Sequence, residues 1–80
     1  MPTNGPEKSI DEILGERIRE LRIASKLSPD QVAKAATMTV SDYWMGEQGI
    51  RRFSAAETFE IARSLGIELS DLVSALKKKD

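Results

Sequence analysis

Three times in this 80-residue chain a serine stands three places ahead of a Glu or Gln, and each time apolar residues at helical spacing follow. The three segments are Ser9-Ile10-Asp11-Glu12, Ser28-Pro29-Asp30-Gln31 and Ser54-Ala55-Ala56-Glu57. In such a capping box the serine hydroxyl accepts from the backbone N–H three residues on. The Glu or Gln side chain accepts in turn from the serine's own N–H, so two orphan donors of a helix start are satisfied together. A chain punctuated in this way folds as short helices. The first box predicts a helix to about Ser25 with Ile10, Ile13, Leu14, Ile18 and Leu21 on one face. Gly15 weakens that helix by roughly 1 kcal/mol against Ala, a cost that close packing by a neighbour would explain. The third box predicts a helix that carries Phe59, Ala62 and Leu65 inward and stops at Gly66. A last amphipathic helix, capped by Glu68 or Ser70, holds Leu69, Leu72, Val73 and Leu76, and Lys77-Lys78-Lys79 at its end match the helix dipole. No segment alternates with period two over a useful length and no internal repeat is present, which predicts an all-α fold of five helices.

Between the first and third boxes, Ser28 to Gly49 is the most informative stretch. Pro29 suits the first helical position, and Val32, Ala33 and Ala36 give the helix an apolar stripe. After Thr37-Met38, Thr39 caps a further helix with Asp42 three residues on, Tyr43 and Gly46 facing inward, and Gly49 suited to its end. Two short helices joined by a tight turn read as a helix-turn-helix.

Length and composition bound the rest. A single domain of this size buries only about 60% of its unfolded surface. Residues 1–8, with Pro2, Asn4, Gly5 and Pro6, are expected to form a disordered arm, 9–76 the domain and 77–80 a basic end. No apolar run approaches the roughly 18 residues of a membrane span, and nothing resembles a signal peptide, so the expected location is cytoplasmic. The absence of Cys agrees with a reducing compartment and excludes thiolate zinc sites and cysteine nucleophiles. The absence of His removes the commonest general base and transition-metal ligand. The carboxylates lie mostly beside Lys or Arg on helix faces, a solvated-surface pattern. The chain is therefore read as no enzyme, with no cofactor, metal or catalytic residue and no room for a small-molecule ligand.

In order and at the family's spacing, Leu14-Gly15-Glu16-Arg17-Ile18-Arg19-Glu20-Leu21-Arg22, Leu27-Ser28, Ala33, Glu47-Gln48-Gly49 and Ile61-Ala62-Arg63-Ser64-Leu65-Gly66-Ile67 resemble the Cro and lambda-repressor type of helix-turn-helix domain. The likeness covers roughly Leu14 to Leu72. It implies a compact five-helix lambda-repressor-like domain, and the family consists mostly of transcriptional repressors that bind double-stranded DNA as dimers. It further implies a recognition helix from about Val40 to Glu47, with Val40, Ser41, Asp42, Trp44 and Met45 toward the major groove. Ser28, Arg51 and Arg52 match positions that touch phosphates, and Arg22 and Glu47 match an ion pair joining the first helix to the third. Pro29 stands where the family usually has a DNA-contacting Gln.

The residues themselves qualify that inheritance. Over 28–54, Lys34, Arg51 and Arg52 balance Asp30, Asp42 and Glu47, whereas a nucleic-acid binder usually shows a basic footprint. Ser41 is the obvious hydrogen-bonding reader, Asp42 suits a cytosine amino group, and Val40 or Met45 suits a thymine methyl. Trp44 points outward, toward the core edge, a partner or the groove. The reading is a sequence-specific transcriptional regulator, a repressor acting as a homodimer, with Leu69, Leu72, Val73 and Leu76 as the candidate dimer face; core packing explains these four equally well. The alternative keeps the fold but makes Val40, Trp44 and Met45 a docking patch for a protein, as in an anti-activator or antitoxin.

Overall fold

A computed structural model describes residues 8–77. Its α-helices are α1 (Ile10–Ala24), α2 (Pro29–Ala35), α3 (Val40–Glu47), α4 (Ala55–Leu65) and α5 (Leu69–Val73), followed by a 3₁₀ turn, Ser74–Lys77. Among the described residues no strand forms. All three capping boxes close: Glu12 N–H donates to Ser9 Oγ at 3.1 Å while Ser9 N–H donates to Glu12 Oε1 at 2.8 Å, and the Ser28–Gln31 and Ser54–Glu57 pairs repeat the arrangement. Thr39 caps α3 by accepting from Asp42 N–H at 3.0 Å. Glu68 takes the cap position of α5 without a side-chain hydrogen bond. The residues of the expected arm up to Glu7, and Lys78 and Lys79, lie outside the described residues.

The helices close around Leu14, Ile18, Val32, Ala33, Ala36, Tyr43, Phe53, Ile61, Ala62, Leu65 and Leu72. Two expectations are corrected here. Phe59 is not inward but 48% exposed, because α4 meets the core through Thr58, Ile61, Ala62 and Leu65, a stripe that passes one position beside it. Leu72 is fully buried, so it serves the interior and not a dimer face, whereas Leu76 is half-buried with part of its surface packed against the core. Leu69, exposed, and Val73 and Leu76, half-buried, keep part of that face on the surface.

The turn between α2 and α3 explains how two short helices hold their angle. Thr37 N–H donates to Lys34 O at 3.0 Å and Met38 N–H to Ala33 O at 2.8 Å, the double bond of a Schellman ending, while Met38 packs onto the core. This ending needs a left-handed residue, and Thr37 supplies it at φ 59° despite its branched Cβ. Thr37→Gly is therefore expected to raise stability by about 0.5–1 kcal/mol, relief of strain outweighing the extra freedom glycine gives the unfolded chain. Thermal denaturation checks the sign, and a lower melting temperature would refute it.

Glycine sets the approach of α1 to α3. A Cβ on Gly15 would overlap the Gly46 and Glu47 backbone carbonyls, so the two helices touch backbone to backbone at that point. Gly46 makes room in the same way for the Phe53 ring, which lies 5.9 Å from Tyr43 between centroids.

Candidate nucleic-acid interface

Eight residues form α3, and its capping and packing decide which of them face out. Tyr43, Gly46 and Glu47 are buried, a spacing of three and one that turns the helix toward α1 and α2. Val40, Ser41, Trp44 and Gln48 are exposed, and Asp42 and Met45 are half-buried at the flanks. Of the residues expected to face the groove, Val40, Ser41 and Trp44 thus stand on the outer face, whereas Asp42 and Met45 lie more deeply at its flanks. Ser28 is exposed, but its hydroxyl is already engaged with Gln31 N–H at 3.2 Å.

Beneath this face lies a buried charged cluster. Arg22 Nε donates to Glu47 Oε2 at 2.7 Å and Arg22 Nη2 to Oε1 at 3.4 Å, while Arg22 Nη1 donates to the Leu27 carbonyl at 3.1 Å. The Tyr43 hydroxyl donates to the same Glu47 Oε2 at 2.5 Å. The two ionic side chains are 9% and 1% exposed, so the expected α1–α3 pair is made in the interior. Its hydrogen bond to Glu47 raises the Arg22 pKa and keeps the guanidinium charged. Burial, reinforced by the bond to Glu47, pushes the Tyr43 phenol above its ordinary range, and it stays neutral. Arg22 also carries Trp44: its guanidinium carbon is 6.0 Å from the indole centroid, within cation–π range. The indole is 41% exposed, so Trp44 faces outward with one side resting on a fixed cation.

Both arginines of the following loop are engaged within the domain. Arg51 forms a two-pronged pair with Glu57, at 2.9 and 3.1 Å, and is half-buried by it. Glu57 is also the capping-box residue of α4, so one carboxylate serves a helix start and a loop arginine at once. Its hydrogen bond from Arg51, with that from Ser54 N–H, pulls its pKa from 4.5 down to about 2. A carboxyl depressed by folding contributes stability above its ordinary pKa, and that contribution is lost as pH falls from about 4.5 through about 2. Glu57→Gln is accordingly expected to flatten the acid limb of a stability-against-pH curve in that window, which chemical denaturation at successive pH values would show. An unchanged limb would overturn the assignment.

Arg52 differs from its neighbour. Its Nε donates to Asp11 Oδ1 at 3.0 Å across the start of α1, yet the side chain is 76% exposed. An exposed pair of this kind contributes on the order of 0–1 kcal/mol and yields to a better anionic partner. Sequence reasoning placed Gln48 in the matching motif but gave it no role; it sits at the C-cap of α3 and opens onto solvent beside Trp44's groove with α1. Its place directly after Glu47 was the available signal. It equally missed the Arg22–Trp44 stack and the partners of Arg51 and Arg52, for which no periodic spacing exists.

A family model described as a helix-turn-helix domain matches residues 13–76. The chain belongs to this helix-turn-helix domain family. Among solved structures, the restriction-modification controller protein C.AhdI from Aeromonas hydrophila is 32% identical to this helix-turn-helix domain, with a TM-score of 0.73 over 78% of this chain and 94% of that one. The clp gene regulator ClgR from Corynebacterium glutamicum is 21% identical, with a TM-score of 0.83 over 88% of this chain and 74% of that one, a likeness of fold. The competence regulator ComR from Streptococcus vestibularis is 28% identical, with a TM-score of 0.76 over 82% of this chain and 22% of that one. No curated protein sequence matches the chain. No helix among the described residues is long and apolar enough to cross a membrane. The helix-turn-helix resemblance read from the residues and the all-α architecture both hold.

Proposed function

We propose that this domain is a sequence-specific DNA-binding transcriptional regulator that acts as a homodimeric repressor. The observation that carries the reading is the outer face of α3, where Val40, Ser41, Trp44 and Gln48 are exposed on a helix braced from beneath by Arg22 and Glu47. A helix displayed on a rigid support can enter a major groove as a unit. The apparent neutrality of the surface is softened by the same geometry: Glu47 is buried and neutralised, whereas Arg52 is free to exchange Asp11 for a phosphate. Likeness to regulators such as C.AhdI supports the functional class. Exposed Phe59 and Leu69 and half-buried Val73 supply surface apolar area for a second copy. The docking reading draws on Val40 and Trp44, with Met45 less available than expected.

Selection from a random duplex pool, followed by titration at two salt concentrations, tests the proposal. Arg52→Ala is expected to weaken binding to every sequence and to lower the salt slope by about one unit, the signature of one lost phosphate contact. Ser41→Ala is expected to narrow the gap between selected and random DNA. Sedimentation with and without the selected duplex reads the dimer, and transcription from a promoter carrying that duplex reads the sign of regulation. Failure to enrich any sequence, with a copurifying protein lost on Trp44→Ala, would establish the docking role instead.

A further inference from the structure

Resting on the DNA-binding reading, we propose that α3 recognises its site chiefly through thymine methyl groups, with Val40 and Trp44 as the reading surface. The helix Val-Ser-Asp-Tyr-Trp-Met-Gly-Glu contains no Lys or Arg, so the bidentate fork that reads guanine, the commonest specific contact, is absent from it. Apart from the Ser41 hydroxyl, what it offers outward is mainly carbon. Val40 and Trp44 lie four residues apart, hence on one face one turn apart, and each keeps about two-fifths of its surface exposed. In the major groove the C5-methyl of thymine is the apolar feature among the four base-pair edges, and apolar side chains match it. Gln48, exposed one further turn along, carries the amide that pairs with the N6 and N7 of adenine, the other half of the same base pair.

The indole of Trp44 gains a fixed position from the cluster below it. Arg22 is held on three sides, by both Glu47 oxygens and by the Leu27 carbonyl, and the ring lies against that guanidinium. A side chain ordered before binding loses little rotamer freedom on contact, so the methyl contact is made by a preformed surface. Within α3 the half-buried Asp42 is the charged residue at the edge of this face, and its carboxylate disfavours an acceptor-rich edge, guanine above all, while Glu12, Glu16 and Arg19 of α1 line the groove on the other side of Trp44.

The test uses the duplex obtained by selection, synthesised with deoxyuridine in place of thymidine at one position at a time, a change that removes only the methyl. The wild-type protein is expected to lose about fourfold in affinity for each contacted methyl, the transfer value of one buried carbon group. Val40→Ala and Trp44→Ala, both at exposed positions, are each expected to abolish the penalty at the position they contact while leaving the thermal transition in place. An absence of any thymine-to-uracil effect in the wild-type series would overturn the inference by itself and leave the DNA-binding reading intact. Penalties that persist unchanged in both variants would also overturn it. If no sequence enriches, the DNA-binding reading fails and takes this inference with it.

Discussion

Glu47→Ala is expected to destabilise the domain by about 3–5 kcal/mol, because it leaves the Arg22 guanidinium in the interior with no counter-charge. The Tyr43 hydroxyl loses its acceptor in the same change, adding an unsatisfied buried donor. A chain of 80 residues has roughly 4–12 kcal/mol in all, so the change removes a large share of the domain's stability. Urea denaturation measures the loss, and a value below about 1 kcal/mol would show the pair to be solvated. The companion Arg22→Met, Glu47→Leu, Tyr43→Phe triple substitution is expected to recover most of the stability, since apolar replacement of a whole buried ionic group is often neutral or better. Recovery of fold in that variant would separate the structural role of the cluster from its support of Trp44.

Gly15→Ala carries the second large effect, and its sign is the instructive part. Helix propensity alone makes this exchange stabilising by roughly 1 kcal/mol. The structure reverses that expectation: the new methyl overlaps two backbone carbonyls of α3, which cannot rotate out of the way as a side chain could. Overpacking of this kind costs about 1–3 kcal/mol and here acts on backbone, so after the propensity gain a net loss of about 1–2 kcal/mol is expected, seen as a lower urea midpoint. A gain in stability would mean that α1 and α3 stand farther apart than described.

These two residues also mark how far a sequence reading extends. Helix starts were legible because a capping box is local, with its donors and acceptors three residues apart, and all three boxes close as spaced. The close packing at Gly15 was legible as an unexplained cost within a helix, though which neighbour caused it was not. Phe59 was misplaced because periodicity fixes an apolar face only to within one position, and Thr58, a polar residue on the inner stripe, hid the true phase of α4. Leu72 and Leu76 look alike as core or interface until the contacts are known, since both uses demand the same spacing. For the candidate site, the exposure of α3 followed from its position in the motif. Its long-range partners did not: Arg52 with Asp11 spans 41 residues, and Arg22 beneath Trp44 depends on how two helices cross.

The stacking of Trp44 on Arg22 has a spectroscopic consequence. The chain contains a single tryptophan, so its ultraviolet emission originates at one place, the outer face of α3. Part of that ring meets solvent and part meets a guanidinium anchored to the interior, and the emission therefore responds both to whatever covers the face and to loosening of the α1–α3 contact beneath it. Covering the ring with the anchor intact shifts the emission to shorter wavelength, whereas release of the anchor exposes the ring fully and shifts it to longer wavelength. Occupancy and unfolding thus give opposite colour changes from one native fluorophore, with no label attached.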